Sequence, residues 1–192
     1  DELAQAGGKD PLQLRKELTA DLPQYQRMLT MLGDKAGWTT DLPRGTGMGI
    51  GISEEFSTPV MQCATVSVSR RGTLTVEKIV AVVDCGHLVN PEIATNQVES
   101  AIVYGLSFGW TGDLTIRNGI VQENNFDTFQ VPRISQMPVV EVHFSLSRGE
   151  TWGGMGEPAT PAVTSAVANA IFYATGKRVR KLPFAHANLS WG

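Results

Sequence analysis

Apolar residues change their spacing several times along the chain, and each change predicts a different kind of element. Between residues 10 and 36 they recur at helical intervals. Leu12, Leu14, Leu18 and Leu22 make a loose apolar face, and Tyr25, Met28, Leu29, Leu32 and Ala36 make a second. Asp10-Pro11 reads as a helix start, with the aspartate as N-cap and the proline in the first turn. Pro23 restarts the chain and Gly37 ends the second helix. From Met48 the period shortens to two. Met48, Ile50 and Ile52 alternate with glycines, and Ala64, Val66 and Val68 alternate with Thr and Ser. Arg70-Arg71-Gly72-Thr73 reads as a turn, and Leu74, Val76 and residues 79–83 as the returning strand of a hairpin.

Asn90-Pro91 opens a helix that runs to about Phe108, with Ile93, Val98, Ile102, Gly105 and Leu106 on its buried side. Asn118-Gly119 predicts a tight hairpin between Leu114 and Ile116 on one side and Ile120 and Val121 on the other. Val140, Val142, Phe144 and Leu146 alternate again as a strand. The last helix runs from about Pro158 to Thr175, carries Val163, Ala166, Val167, Ala170, Ile171 and Ala174 on one face, and is closed by Gly176. Hairpins mixed with separate helices predict an α+β fold, with antiparallel hairpins packed against helices, rather than a parallel strand–helix–strand series. The expected division is a helical segment over residues 1–40 and a lobe over residues 41–192.

Composition narrows the function classes. With 192 residues, 42% apolar and 18% charged, the chain is globular, and its size allows a substantial core. A net charge of -3 without long single-sign runs argues against nucleic acid or an anionic membrane as a partner. No apolar stretch approaches the ~18 residues of a membrane-spanning helix. Cys63 and Cys85 lack C-x-x-C spacing and have no histidine at ligand spacing, so two buried free thiols are expected. His87, His143 and His186 are scattered and predict no metal site.

Three segments invite chemistry. Gly45, Gly47, Gly49 and Gly51 form G-x-G-x-G-x-G, which is not the dinucleotide pattern. Such a strand admits either a ligand or another backbone, and packing is the simpler reading. Lys177, Arg178, Arg180 and Lys181 follow the last helix, where positive charge is favourable. In 152–161, WGGMGEPATP, Gly153, Gly154 and Gly156 surround Glu157, which precedes Pro158. The carboxylate sits at the mouth of a helix, either as an N-cap or as a general base facing a ligand that the glycines admit. From the segment alone the cap is the simpler reading. A serine hydrolase is disfavoured, since no G-x-S-x-G elbow occurs.

Read together, residues 82–105 (VVDCGHLVNPEIATNQVESAIVYG) and 153–161 (GGMGEPATP), followed by a helix ending NAIFYATGKRVRKLPF, change that balance. In this order and spacing they resemble the molybdenum-binding subunit of the xanthine oxidase family, especially bacterial isoquinoline 1-oxidoreductase beta subunits and related aldehyde dehydrogenases. The resemblance covers nearly the whole chain, and the pairing of VDCG-x3-NP-x5-Q-x-E with GEP-x-TP is specific. It implies the C-terminal part of a molybdenum-cofactor-binding domain. It places the catalytic base on Glu157 and pterin contacts on Gln97 and Gly156, and it calls for no protein ligand to the metal.

The implied cofactor is molybdopterin with molybdenum, in the cytosine dinucleotide form by analogy with bacterial relatives. The implied reaction adds water-derived oxygen to an electron-poor carbon of an N-heterocycle or aldehyde, with the base taking a proton from a metal-bound hydroxyl. Electrons then pass to [2Fe-2S] clusters on a partner small subunit. The opening DELAQAGGKD resembles an internal stretch, so the expectation is an excised fragment or one chain of a split subunit, inactive without the upstream part. The alternative is a non-catalytic assembly module of the same complex, with Glu157 as a cap. Three positions depart from the family pattern: Ala159 and Ala162 stand where relatives have Gly and Pro, and Ser100 stands where Gly follows the Q-x-E motif.

Overall fold

Three helices open the chain: α1 (Glu2–Ala6), α2 (Pro11–Leu18) and α3 (Pro23–Ala36). In the computed structural model, which describes residues 1–192, Asp10 caps α2 by accepting the Gln13 N–H at 2.9 Å, and Pro11 fills the first turn, where no N–H is needed. Gly37 ends α3 in the left-handed conformation at φ 62°. Met28, Leu29 and Leu32 are buried, as their spacing predicts. The leucine face of α2 is buried only at its start. Leu12 lies against Gly33 of α3, whereas Leu18 and Leu22 face solvent, because only the first turn of α2 is covered.

The strands follow: β1 (Thr46–Glu55), β2 (Thr58–Val68) and β3 (Leu74–Val83). The β2–β3 hairpin forms as read, with one register shift between Thr65 and Val66. A β1–β2 hairpin precedes it, from Glu55 opposite Thr58 to Thr46 opposite Ser67. Its two turn residues, Phe56 and Ser57, both have positive φ, 54° and 59°, so the turn lacks the Gly or Asn that marks such turns in a sequence. Next come α4 (Pro91–Trp110), the small hairpin β4 (Ile116–Arg117) and β5 (Ile120–Val121), then β6 (Val139–Phe144) and α5 (Thr160–Thr175). The sheet order is β1-β2-β3-β6. β6 joins β3 in parallel, with Val80 opposite Glu141. The fold is α+β, antiparallel across three strands and parallel at the fourth.

Alternation along the strands separates two cores. Met48, Ile50, Met61, Cys63, Val80 and Val82 pack with Met28, Leu29 and Leu32 of α3. On the other face Val60, Ala64, Val66, Ile79, Ala81 and Val83 pack with α4 and α5. The glycine series of β1 belongs to this second face. A Cβ added at Gly47, Gly49 or Gly51 would fall 2.1, 2.2 or 2.0 Å from Ala170 O, Ala170 N or Ala162 O. The glycines therefore bring the α5 backbone onto the strand, and the ligand reading of this segment falls away.

Both long helices keep their predicted stripes, with small corrections. Asn90 caps α4 through the Ile93 N–H at 3.1 Å, and Val98, Ile102, Gly105 and Leu106 are buried. Ile93 is 62% exposed. It lies one residue off the stripe, where Ala94 takes the inner position. Helix α5 begins at Thr160 rather than near Pro158, with Pro161 in its first turn. Residues 157–160 form a turn closed by Thr160 N–H to Glu157 O at 3.1 Å, with Pro158 at the second position that suits its fixed φ. Cys63 and Cys85 are buried and free. No helix is long and apolar enough to cross a membrane. The basic run after α5 also reaches α1: Arg180 clasps Glu2 at 2.6 and 2.9 Å, and Arg178 donates to Gln5 at 2.9 Å.

Candidate functional site

The glycine-rich segment before α5 is an irregular loop, and its backbone is fixed by groups from three other parts of the chain. Gly153 N–H donates to Cys85 O and Gly154 N–H to Phe56 O, both at 2.9 Å. The Thr58 hydroxyl donates to Gly154 O at 2.9 Å, the Ser53 hydroxyl to Pro158 O at 3.1 Å, and Gln62 Nε2 to Ala159 O at 2.7 Å. The first contacts need a bare backbone, since a Cβ at Gly153 would lie 2.1 Å from Thr58 Oγ1. Cys85 is held in turn by its neighbour Asp84, a buried carboxyl at the end of β3. Asp84 Oδ1 accepts the N–H groups of Gly86 and Ser147 at 3.0 Å each, and Oδ2 accepts Gln24 Nε2 at 2.9 Å.

Glu157 sits in the middle of this pinned segment with its side chain exposed. It does not cap α5: the N-cap residue is Ala159, and no side chain makes a cap hydrogen bond. The cap reading is therefore corrected. The loop ends in a turn before the helix, which carries the Glu157 carboxylate away from the first helical N–H groups. The carboxylate makes no hydrogen bond or ion pair and borders two clefts. One, of about 490 Å³, lies between Phe56, Gly154, Gly156 and Glu157. The other, of about 340 Å³, lies against α4 and is lined by Gln97, Ser100, Tyr104, Phe108, Gly156 and Glu157 among others.

The three residues singled out in the sequence thus meet. Gln97 Nε2 donates to Gly156 O at 3.3 Å, and Glu157 follows directly. Gln97 keeps its Oε1 and one N–H uncommitted, and the Ser100 hydroxyl is unengaged. A Cβ at Gly156 would meet nothing within 4 Å, so this backbone faces open space. Free amide and hydroxyl groups beside a bare backbone, flanked by the exposed rings of Phe56, Tyr104 and Phe108, fit a flat ring rich in heteroatoms. The fit is one-sided, because the clefts are open away from α4 and the loop. No group of three or more His, Cys, Asp or Glu side chains is placed to hold a metal ion. His87 instead stacks on Trp152, 4.6 Å between centroids, with Nε2 at 2.6 Å from Gly149 O.

Sequence reading missed the residues that hold this loop. Ser53 and Thr58 flank a turn with no turn signal. Gln62 was detectable as the one polar residue in the run Val60-Met61-Gln62-Cys63-Ala64.

The sequence profile described as "Molybdopterin cofactor-binding domain" matches residues 31–138, a span that includes Gln97 and stops before Glu157. The chain is 33% identical, over all of its own length and 27% of the relative's, to a protein of Gluconacetobacter polyoxogenes named membrane-bound aldehyde dehydrogenase [pyrroloquinoline-quinone]. It is 25% identical to the isoquinoline 1-oxidoreductase subunit beta of Brevundimonas diminuta, over 97% of this chain and 24% of that one. Quinoline 2-oxidoreductase from Pseudomonas putida 86 shares the fold, with a TM-score of 0.61 and 19% identity over 66% of this chain and 17% of that one. The chain therefore spans about a quarter of the length of these sequence relatives.

Proposed function

The chain belongs to the molybdopterin cofactor-binding domain family, and from that premise we propose that it forms one wall of the cofactor and substrate site of a molybdenum-dependent oxidoreductase of the xanthine oxidase type. Gln97 holds the edge of the pterin through its free amide groups, and the bare backbone at Gly156 lets the ring lie close. Ser100 adds its free hydroxyl to the same wall. When bound, the molybdenum–pterin group supplies the capacity for a two-electron oxidation. Glu157 accepts a proton on its carboxylate as the substrate reacts, and the loop keeps that carboxylate at the cleft.

The substrate is a small aldehyde or N-heterocycle, lying against the apolar wall of Phe56, Tyr104 and Phe108. The names of the relatives, an aldehyde dehydrogenase and an isoquinoline oxidoreductase, support this range. The "subunit beta" in one of those names supports a multi-subunit enzyme. In it the upstream part of the large subunit closes the cradle, and a [2Fe-2S] small subunit takes the electrons. The pterin is carried in its cytosine dinucleotide form. Within this arrangement residues 1–40 continue from the upstream part, and residues 41–192 make the C-terminal lobe.

The observation that carries the reading is the unengaged Glu157 carboxylate in a segment whose backbone is pinned on both sides. The competing reading, an assembly module with Glu157 as a helix cap, lacks the cap hydrogen bond it needs. In the intact complex, Glu157→Ala is expected to lower turnover by roughly 10² or more, the scale of a lost general base, with molybdenum content unchanged. Retained turnover overturns the role of Glu157. A complex free of molybdenum overturns the cofactor, a test made pointed by the pyrroloquinoline quinone in one relative's name.

A further inference from the structure

Gln62 is fully buried in β2, on the sheet face covered by α5. Its partners across the strands are Gly51 and Ala81, and its nearest buried neighbours on that face of β2 are Val60 and Ala64. A buried amide ordinarily finds partners for both its oxygen and its nitrogen. Gln62 finds one. Nε2 donates to Ala159 O at 2.7 Å, while Oε1 is left without a partner. A methionine of similar length would fill the same space with no orphaned acceptor, so packing does not account for a glutamine here.

The single bond that Gln62 makes is where the site needs it. Ala159 is two residues beyond Glu157 and is the N-cap of α5, with no side-chain cap of its own. The preceding carbonyl, that of Pro158, accepts the Ser53 hydroxyl at 3.1 Å. Two successive carbonyls after Glu157 are thus gripped from neighbouring strands, β1 and β2. Gly51, the residue paired with Gln62, has no side chain to block the reach. We infer that Gln62 is a positioning residue for Glu157: by holding Ala159 O it fixes the direction in which the turn at 157–160 presents the carboxylate to the cleft. The inference rests on the reading of Glu157 as the proton acceptor.

The test compares Gln62→Met, Gln62→Glu and Glu157→Gln in the intact enzyme, with amide hydrogen exchange of residues 153–160 measured beside rates. Gln62→Met is expected to leave the melting temperature unchanged or raised and to speed exchange in that segment at least tenfold. It lowers kcat at least tenfold, with KM within twofold, and displaces the acid limb of the pH–rate profile. Gln62→Glu recovers part of kcat at low pH, where the neutral carboxyl can donate to Ala159 O. Wild-type exchange and wild-type kcat in Gln62→Met overturn the inference. So does a large fall in melting temperature, which would make Gln62 a support of the whole fold. If Glu157→Gln retains turnover, the proton-acceptor reading fails instead, and the exchange result alone decides whether Gln62 holds the loop.

Discussion

Asp84 accepts both the backbone N–H and the hydroxyl of Ser147, at 3.0 and 3.2 Å. Through the same carboxyl it also takes the N–H of Gly86 and the amide of Gln24, so one buried side chain joins α3, the end of β3 and the segment after β6. Asp84→Ala strands those donors and is expected to cost about 2–4 kcal/mol, the scale of a broken buried network. Asp84→Asn keeps one acceptor oxygen, and Gln24 can turn its amide to meet the new NH2, so its loss is smaller. Denaturant unfolding of the two variants beside wild type checks the order.

Gly51 and Gly156 make opposite predictions from the same substitution. At Gly51 the new methyl meets Ala162 O at 2.0 Å, and neither backbone can yield without parting sheet from helix. Gly51→Ala should therefore lose at least about 1–3 kcal/mol, the usual range for overpacking. At Gly156 the methyl enters open space, so Gly156→Ala should melt within about 0.5 kcal/mol of wild type, as surface changes do. On the proposed function it still reduces cofactor loading, because the methyl stands in the cleft. Pterin content together with thermal unfolding separates the two behaviours.

Gln97 is exposed, and its one hydrogen bond, to Gly156 O, is long. Gln97→Ala is expected to leave the fold intact within about 0.5 kcal/mol while lowering the pterin content of the purified complex. Wild-type loading would remove Gln97 from the cofactor's contacts.

Burial pushes the Cys63 thiol up from 9.0 to about 12. Burial, with the adjacent Glu54 carboxylate, likewise raises the Tyr25 hydroxyl from 10.0 to about 12. Both groups stay neutral in the folded chain at pH values where the unfolded chain has lost the protons. Their contribution to stability is thus complete below pH 9.0 and declines as the pH rises towards about 12. Unfolding midpoints taken from neutral to alkaline pH should fall over that window, and Cys63→Ala should flatten the first part of the fall. Native Cys63 should also resist thiol reagents at neutral pH.

The parts of the fold legible in the sequence are those whose signals are local. Asp10 and Asn90 cap, Gly37 and Gly176 stop helices, and Asn118-Gly119 turns a hairpin, all through residues within a few positions of one another. What was not legible depended on partners distant in sequence. Phe56 and Ser57 form a left-handed turn that the strands impose on residues with no preference for it. The glycines of β1 leave a ligand loop open beside the simpler packing reading until α5 is seen lying on them. The same holds at the site. Motif order brought out Glu157, Gln97 and Gly156, which do meet, but Ser53, Thr58 and Gln62 act from strands whose approach no local pattern records. Leu18, Leu22 and Ile93 show the converse, since apolar spacing marks a face without fixing how much of it a neighbour covers.

The parallel seat of β6 beside β3 bears on when the site takes shape. Neighbouring strands here are separated by residues 84–138, so their pairing must wait while α4 and the small hairpin are made and folded back. Such distant pairing closes slowly, after local hairpins and helices have formed. The segment that carries Glu157 leaves the ribosome later still, and its anchors at Phe56, Thr58 and Cys85 belong to the part of the chain already made. During synthesis, then, the chain builds the receiving surface first and lays the loop that carries Glu157 onto it afterwards.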